Sequence, residues 1–333
     1  MIRTERNAVI HSHGIYLPER VIPNSYFDEL LGTNVSDWLE EYVEIYERRW
    51  CAENESTADL CAGAAKDALK RGGLSPEMID LLIVTTDTPE YISPSTASKV
   101  QYMTGMVNAA IFDINTACAG FVTSLDVASK YLQVDNNYKY IMVIGVYAMS
   151  KYLNMKDKKS VNLFADGAGA MILTAEENSN RGFLASTMTT KGEYSGYMGI
   201  YAGGTAQPVT KEVLESGDNL LQLREKFPPE LNPTMWSGLA RKLCSMAGLT
   251  PEDIKRYFLT QINVRSIRET MDMLQIPRDR AQESMHYYGY TGSACIPLAF
   301  YDAWEAGLVK KGDIILMIGS GGGLAFAGAA FRL

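Results

Sequence analysis

The most chemically informative stretch of the chain is the run of small residues around Cys118. The segment Asn115-Thr-Ala-Cys-Ala-Gly120 follows an apolar stretch over residues 109–114 and leads into a helical pattern that continues to about Leu132. A thiol at the first turn of a helix lies near the positive end of the helix dipole, which favours the thiolate, and small neighbours leave room for a substrate. We therefore expect Cys118 to be a nucleophile. The alternative is a structural cysteine in the core, because free cysteine is among the most buried residue types.

Strand and helix patterns alternate on both sides of this nucleophile segment. A helix is predicted over residues 57–71, and buried strands are predicted over residues 80–86 and 139–146. Two glycine-rich segments, Phe164-Ala-Asp-Gly-Ala-Gly-Ala170 and Gly319-Ser-Gly-Gly-Gly323, each adjoin a strand, so the two halves of the chain end alike. This similarity predicts an α/β fold of two duplicated halves, each burying a mixed sheet under helices.

The predicted organisation has three parts. Residues 1–175 form the half that carries the nucleophile, residues 176–234 form an insertion or lid, and residues 235–333 form the second half. The middle part is rich in Gly, Tyr, Thr and Pro, and long irregular segments of compact proteins are often functional.

Composition excludes several classes of protein. The chain has 333 residues, 47% of them hydrophobic, and a net charge of −8, which argues against nucleic acid as the main partner. Its five cysteines show neither metal-ligand pairing nor dense disulfide spacing, so we expect no metal site and a reducing cytoplasm as the location. No segment reaches the roughly 18 apolar residues of a membrane span, and we expect no membrane association.

Three motifs in order, Thr116-Ala-Cys-Ala-Gly-Phe121, Phe164–Ala170 and Gly321-Gly-Gly323, closely resemble the β-ketoacyl-acyl carrier protein synthase III family, of the thiolase fold. The resemblance covers nearly the whole chain, from Gly14-Ile-Tyr-Leu-Pro18 to Gly289-Tyr-Thr-Gly-Ser-Ala-Cys-Ile-Pro297. It implies that Cys118 takes an acyl group from a coenzyme A thioester and that the acyl-enzyme condenses with malonyl carrier protein as carbon dioxide leaves. It also implies an oxyanion hole at the N–H groups of Cys118 and Gly322, a homodimer, and no permanently bound cofactor.

The chain departs from the family at two catalytic positions. The family's histidine in a His-Gln-Ala-Asn motif corresponds to Thr260 in Thr-Gln-Ile-Asn263, and its asparagine in a His-Gly-Asn-Thr motif corresponds to Tyr290. Neither a threonine nor an unperturbed tyrosine titrates near neutral pH, so ordinary acid–base catalysis is unavailable from them, although both can donate hydrogen bonds. Asn263 keeps its motif position, which implies substrate binding.

Three further residues are candidates for a role in the site. Asp87 is similar in position to the catalytic acid of hydroxymethylglutaryl-CoA synthase-like relatives and is a candidate base, or else an ordinary loop aspartate. His286 precedes Tyr290 by four residues but matches no catalytic position. Trp38 matches half of the family's adenine clamp, because Tyr42 stands where an arginine follows. The missing guanidinium leaves an acyl-CoA and an acyl carrier protein, both phosphopantetheine thioesters, as equal candidates for the donor.

Three functions follow from these observations. The first is an acyltransferase of fatty-acid or specialised lipid and polyketide biosynthesis that works through a Cys118 thioester without the standard decarboxylative step. The second is a catalytically degenerate partner subunit in a heterodimer with an active homologue. The third is a 3-oxoacyl-acyl carrier protein synthase III in which another residue, such as Asp87, replaces the missing base.

Overall fold

The structure is a computed structural model that describes residues 6–333. The strands in this range are β1 (Arg6–Tyr16), β2 (Arg20–Pro23), β3 (Glu47–Trp50), β4 (Leu81–Thr85), β5 (Ala110–Ile114), β6 (Tyr140–Ala148), β7 (Asp166–Glu177), β8 (Gly182–Thr190), β9 (Met198–Gly199), β10 (Gln222–Leu223), β11 (Arg256–Leu259), β12 (Ile314–Gly321) and β13 (Ala325–Arg332). The α-helices are α1 (Asn24–Leu31), α2 (Ser36–Trp38), α3 (Thr57–Gly72), α4 (Thr96–Thr104), α5 (Gly120–Val134), α6 (Lys211–Ser216), α7 (Leu231–Ala247), α8 (Val264–Leu274), α9 (Met285–Tyr288) and α10 (Cys295–Glu305).

Two mixed sheets with the same local pattern form the framework. The first has the order β1-β7-β6-β4-β5, in which β4 lies parallel to β5 and β6, and β7 lies antiparallel to β6 and β1. The second has the order β11-β12-β13-β8, in which β11 is parallel to β12, and β13 is antiparallel to β12 and β8. The series β4-β6-β7-β1 is therefore repeated as β11-β12-β13-β8, which confirms the predicted duplication.

Helices cover both faces of each sheet. The central helices α5 and α10 contact strands of both sheets, whereas α3 packs on the first sheet and α7 on the second. Helix α5 is apolar along most of its length, and its buried residues include Phe121, Leu125 and Leu132. A helix that buries almost every side can only be accommodated between two apolar sheet faces. The fold is thus the layered thiolase arrangement that the sequence predicted.

The N-terminus of α3 shows how local sequence fixes an element. Ser56 and Asp59 form a capping box, in which the Asp59 carboxylate accepts the Ser56 N–H at 2.9 Å. Gly73 ends the helix in the left-handed conformation at φ 63°. These are the cap residues that a sequence reveals directly, and the predicted helix over residues 57–71 is confirmed within one residue.

One boundary differs from the sequence prediction. Residues 182–190, which we placed in the insertion, form β8 and pair with β13 along its length. Several residues of this strand are polar, including four threonines or serines, so its sequence resembles the irregular segment that follows it. The long excursion between strand and helix therefore begins after Thr190 and ends at α7, and it contains a 3-10 turn (Gly192–Tyr194) and the short elements β9, β10 and α6. Among the described residues, no helix combines the length and apolarity needed to cross a membrane.

Candidate functional site

Cys118 lies in a tight turn where the two halves of the molecule meet. Residues 117–119 form one 3-10 turn directly before α5, and Ala117 has a φ of 46°, a left-handed conformation that non-glycine residues rarely adopt. The Asn115 side chain accepts the Ala117 N–H at 3.0 Å, and the Ser293 hydroxyl donates to the Ala117 carbonyl at 3.0 Å. The turn is therefore held from its own half and from the second half at once.

Glycine at the start of α5 allows this turn to sit against the first sheet. A Cβ at Gly120 would lie 1.8 Å from the Thr85 hydroxyl oxygen, so no other residue fits without moving the helix away from β4. The small residue at the start of α5 is thus required for packing the turn that contains Cys118.

An apolar cavity of about 110 Å³ opens beside Cys118. It is lined by hydrophobic side chains from the excursion and the second half, together with Tyr290 and the end of β12: Met198, Leu223, Phe227, Pro228, Leu231, Asn232, Ile262, Ser320, Gly321, Gly322 and Leu324. The structure therefore brings together three of the residues predicted from sequence, namely Cys118, Tyr290 and Gly322.

The protonation state of Cys118 differs from the sequence expectation. Its side chain is 2% exposed, and burial, followed by the negative charge of Asp87, raises the pKa of the Cys118 thiol well above its usual value. The hydrogen bond from Tyr290 acts in the opposite direction but is the smaller effect. The expectation that the helix dipole favours the thiolate is therefore wrong for the free protein, because desolvation outweighs the dipole. The resting residue is a neutral thiol.

Tyr290 faces Cys118 and is itself buried. Its hydroxyl lies close enough to Cys118 to lower the pKa of the thiol, and its ring lies 5.5 Å from the Phe164 ring and 6.3 Å from the Tyr147 ring. Burial raises the pKa of Tyr290 well above its usual value, so the phenol keeps its proton. Tyr290 can accordingly donate a hydrogen bond to the sulfur but cannot act as a base near neutral pH.

The glycine run Gly321–Gly323 at the end of β12 approaches the turn that contains Cys118 very closely. A Cβ at Gly321 would lie 2.5 Å from Cys118 N and 2.4 Å from Thr116 O, whereas a Cβ at Gly322 would meet nothing nearer than Met198 O at 3.6 Å. Gly322 lies just beyond β12. Within residues 6–333, its N–H makes none of the backbone hydrogen bonds found in the turns and loops. Gly321 is thus required for packing, and Gly322 presents its backbone to the cavity.

Thr260 does not reach the cavity. It is fully buried, and its hydroxyl oxygen accepts the Ser320 N–H at 2.8 Å. The side chain therefore stabilises the end of β12, from which the glycine run continues. In this arrangement the hydroxyl is already occupied, so it makes no direct contribution to the space around Cys118.

A second cavity of about 260 Å³ adjoins the first at Met198 and Gly322. We call it the Asp87 chamber; the residues that line it are Asp87, Asn115, Ala117, Tyr147, Met149, Ser195, Met198, Gly199, Ile200, Tyr201, Leu221, Gly322 and Gly323. Asp87 is half-buried, its Oδ1 has no hydrogen-bond partner, and burial raises the pKa of its carboxyl group to about 6. The carboxylate is thus mostly ionised at neutral pH and close enough to Cys118 to influence the pKa of the thiol.

Two chamber residues were missed by sequence reasoning. Tyr147 lies near the end of β6 and Asn115 directly follows β5, so both stand at the carboxyl ends of the two parallel strands that flank β4. Polar residues in this position of an α/β sheet commonly line ligand sites, and that signal was available in the sequence. It was obscured because Tyr147 sits in an otherwise apolar run.

Three other candidates lie outside both cavities. Asn263 is exposed and caps α8, accepting the Arg265 N–H at 2.9 Å. Trp38 is 48% exposed on α2, available for stacking but not among the cavity residues. The His286 Nδ1–H donates a 2.6 Å hydrogen bond to the Glu44 carbonyl oxygen, so His286 belongs to a separate cluster.

That cluster has the ligand types of a metal site but is already neutralised. Glu44, Glu283 and His286 bring their ligand atoms within 4.8 Å of one another. Arg268 forms ion pairs with both carboxylates, at 2.5 Å to Glu44 and 2.9 Å to Glu283. The guanidinium takes the place that a cation would occupy, and the cluster is best understood as a link between the two halves.

The sequence of the chain matches a family of known proteins. Fold and site together define a thiolase-fold protein with a buried cysteine where its halves meet. The family model described as 3-oxoacyl-[acyl-carrier-protein (ACP)] synthase III matches residues 112–192, and its C-terminal counterpart matches residues 244–333. A β-ketoacyl-[acyl-carrier-protein] synthase III of Syntrophomonas wolfei is 34% identical over 319 residues, covering 96% of this chain and 95% of that protein. The chain therefore belongs to the 3-oxoacyl-acyl carrier protein synthase III family.

Solved structures agree with this assignment. The crystal structure of 3-oxoacyl-[acyl-carrier-protein] synthase III from Aquifex aeolicus superimposes with a TM-score of 0.87 at 31% identity. The superposition covers 98% of this chain and 100% of the Aquifex chain. The priming β-ketosynthase of the R1128 polyketide pathway superimposes with a TM-score of 0.88 at 25% identity, covering 100% and 98% of the two chains.

Proposed function

We propose that this protein transfers acyl groups from thioesters of coenzyme A or acyl carrier protein through an acyl-enzyme on Cys118. The observation that carries the proposal is the placement of the Cys118 sulfur at a cavity whose other walls hold the Tyr290 hydroxyl and the backbone of Gly322. Enzymes of the family act on such thioesters and hold no permanent cofactor. The biological context we infer is fatty-acid or polyketide assembly, as in the relatives named above.

In the acylation step, the Cys118 sulfur forms a bond to the thioester carbonyl carbon while its proton passes to the Asp87 carboxylate. The carbonyl oxygen becomes negatively charged, and the N–H groups of Cys118 and Gly322 stabilise it. The intermediate then collapses as the bond to the carrier sulfur breaks, and Asp87 returns the proton to that leaving thiolate. Tyr290 donates a hydrogen bond to the Cys118 sulfur and so stabilises it while it carries negative charge.

The second half of the reaction is transfer to an acceptor without decarboxylative condensation. Decarboxylation of a malonyl group forms an enolate, and the family's histidine and asparagine are absent from the positions of Thr260 and Tyr290. Among the described residues that line the two cavities there is no lysine, arginine or histidine, and the negative charge of Asp87 opposes an enolate. The same carboxylate favours deprotonation of a neutral alcohol, amine or thiol acceptor.

The experiment is to incubate the protein with a panel of acyl-CoA and acyl carrier protein thioesters and record intact-protein mass spectra. We expect a specific acyl adduct that is absent from Cys118→Ala and retained by Cys295→Ala, in which a neighbouring buried thiol is removed instead. Adding malonyl carrier protein to the loaded enzyme should release no carbon dioxide. If it does, the substitute-base synthase is correct; if no thioester loads Cys118, the partner-subunit hypothesis replaces ours.

A further inference from the structure

The Asp87 chamber holds three polar side chains whose hydrogen-bonding capacity is unused. Tyr147 is 1% exposed, and within residues 6–333 its hydroxyl has no hydrogen-bond partner. Asp87 Oδ1 is likewise without a partner. Asn115 is exposed at the mouth of the chamber; its side-chain oxygen accepts the Ala117 N–H, and its NH₂ group makes no hydrogen bond within the protein. The chamber thus presents two donors and one carboxylate acceptor in a confined space.

The Tyr147 hydroxyl and Asp87 Oδ1 are costly to leave in an empty or purely apolar environment. A buried polar group that makes no hydrogen bond lowers stability, and native proteins satisfy nearly all of them. The remaining walls, formed by Met149, Ile200 and Leu221, are apolar. A ligand that matches the chamber therefore combines a short hydrocarbon portion with a group that both donates and accepts hydrogen bonds.

The chamber also begins beside the reacting carbonyl. Ala117, which precedes the nucleophile, and Gly322, the proposed oxyanion donor, both belong to its lining. An acyl chain that extends from the carbonyl into this space would therefore meet the polar side chains of the chamber. A hydroxyl is the group that can donate to Asp87 while accepting from Tyr147 or Asn115.

We propose that the Asp87 chamber receives the acyl group and selects short acyl groups that carry a hydroxyl near the thioester carbonyl. The inference rests on the proposed acyl transfer through Cys118. A plain aliphatic chain of the same length would leave the Tyr147 hydroxyl and Asp87 Oδ1 without partners. A carboxylated acyl group would place its negative charge against Asp87.

The test compares matched acyl donors. Wild-type protein is acylated with N-acetylcysteamine thioesters of butanoate and of each enantiomer of 3-hydroxybutanoate, and the rate of adduct formation is followed by intact-protein mass spectrometry. We expect one hydroxylated donor to react at least about tenfold faster than the plain one, because sites built to bind a hydroxyl discriminate strongly against analogues without it. In Tyr147→Phe this preference should fall below about threefold.

Tyr201→Phe is the matched control. Tyr201 lines the same chamber, but its hydroxyl already donates to the Ser195 carbonyl at 3.2 Å, so its loss should leave the preference unchanged. Equal rates for plain and hydroxylated donors on Cys118 would overturn the inference and leave the proposed function standing. A preference that Tyr147→Phe does not reduce would also overturn it. Failure of every thioester, including the coenzyme A and carrier protein forms, would remove the proposed function and this inference together.

Discussion

At the scale of single residues, the chemistry depends on how a neutral thiol loses its proton. Burial and the Asp87 charge keep Cys118 protonated, while Tyr290 offsets part of this effect through its hydrogen bond. Neither Tyr290 nor Thr260 can accept the proton near neutral pH, since the first holds its own proton tightly and the second is bonded to Ser320. Asp87 is the group beside the thiol whose pKa, about 6, suits a base.

Acylation should therefore depend on pH through Asp87. Below pH 6 the carboxyl group is protonated and cannot accept the thiol proton, and above it the carboxylate can, so the rate should rise through a pKa of about 6 and level off. Asp87→Asn should lower the rate by about 10²- to 10³-fold and abolish this rise. Stopped acylation reactions from pH 5 to 8, analysed by mass spectrometry, measure both effects.

Asp302 supplies the control for that experiment. Burial raises the pKa of its carboxyl group to about 6 as well, but it is hydrogen bonded to Tyr288 at 2.8 Å and lines neither cavity. Asp302→Asn should keep the pH profile of the wild type. An inflection that persists in Asp87→Asn would show that another group accepts the proton.

The role of Tyr290 is separable from that of Asp87. Tyr290→Phe keeps the ring packing but removes the hydrogen bond that lowers the pKa of Cys118, so the thiol should titrate at still higher pH. Loss of a hydrogen bond to a charged sulfur, at roughly 1.5 kcal/mol, should slow alkylation by iodoacetamide about tenfold at fixed pH. Tyr147→Phe, which removes no bond to Cys118, should alkylate at nearly the wild-type rate; equal slowing in both variants would contradict this assignment.

At the scale of elements, the end of β12 and the turn before α5 form one packing unit. Gly321 lies against Cys118 N and Thr116 O. Thr260, which directly follows β11, accepts a hydrogen bond from the N–H of the neighbouring Ser320. The positive φ of Ala117 shows that the turn is strained. Hydrogen bonds from both halves keep it in this conformation.

Adjacent glycines in this unit should respond differently to the same substitution. Gly321→Ala forces a Cβ to within 2.5 Å of Cys118 N and should destabilise the protein by about 1–3 kcal/mol. Gly322→Ala, whose Cβ would meet nothing nearer than 3.6 Å, should leave stability nearly unchanged while its methyl group enters the cavities and slows acylation. Urea denaturation and adduct formation test the pair, and similar stability losses in both would refute the packing argument.

At the scale of the whole molecule, the first sheet is left with an uncovered edge. Strand β5 is the last strand of the sheet, its residues are only partly buried, and it leads directly to Cys118. Large apolar side chains nearby in sequence are strongly exposed, among them Ile92 at 85%, Tyr102 at 86% and Val107 at 69%. Edge strands and apolar patches of this kind are normally covered by a partner.

We expect a homodimer, with a mass twice the 36.8 kDa of the chain. Replacing Tyr102 and Val107 together by Glu should shift the protein toward monomer, because the new charges would be buried in the interface. Val209→Glu, at another exposed apolar position of 56%, should have no effect on the mass. Light scattering after size-exclusion chromatography gives the answer, and a monomeric wild type would contradict the expectation.

The sequence by itself determined the fold and the departures at Thr260 and Tyr290, and it predicted Cys118 as the nucleophile, because these depend on local patterns: alternating strands and helices, small residues around a thiol, and glycine-rich segments. Tertiary structure alone decided the protonation of Cys118, since burial and the Asp87 charge arise only when distant segments meet. It also decided that Thr260 supports Ser320 and that Tyr147 and Asn115 join Asp87 in one chamber. Hydrogen-bond partners and desolvation are properties of the folded environment, and the order of residues along the chain does not contain them directly.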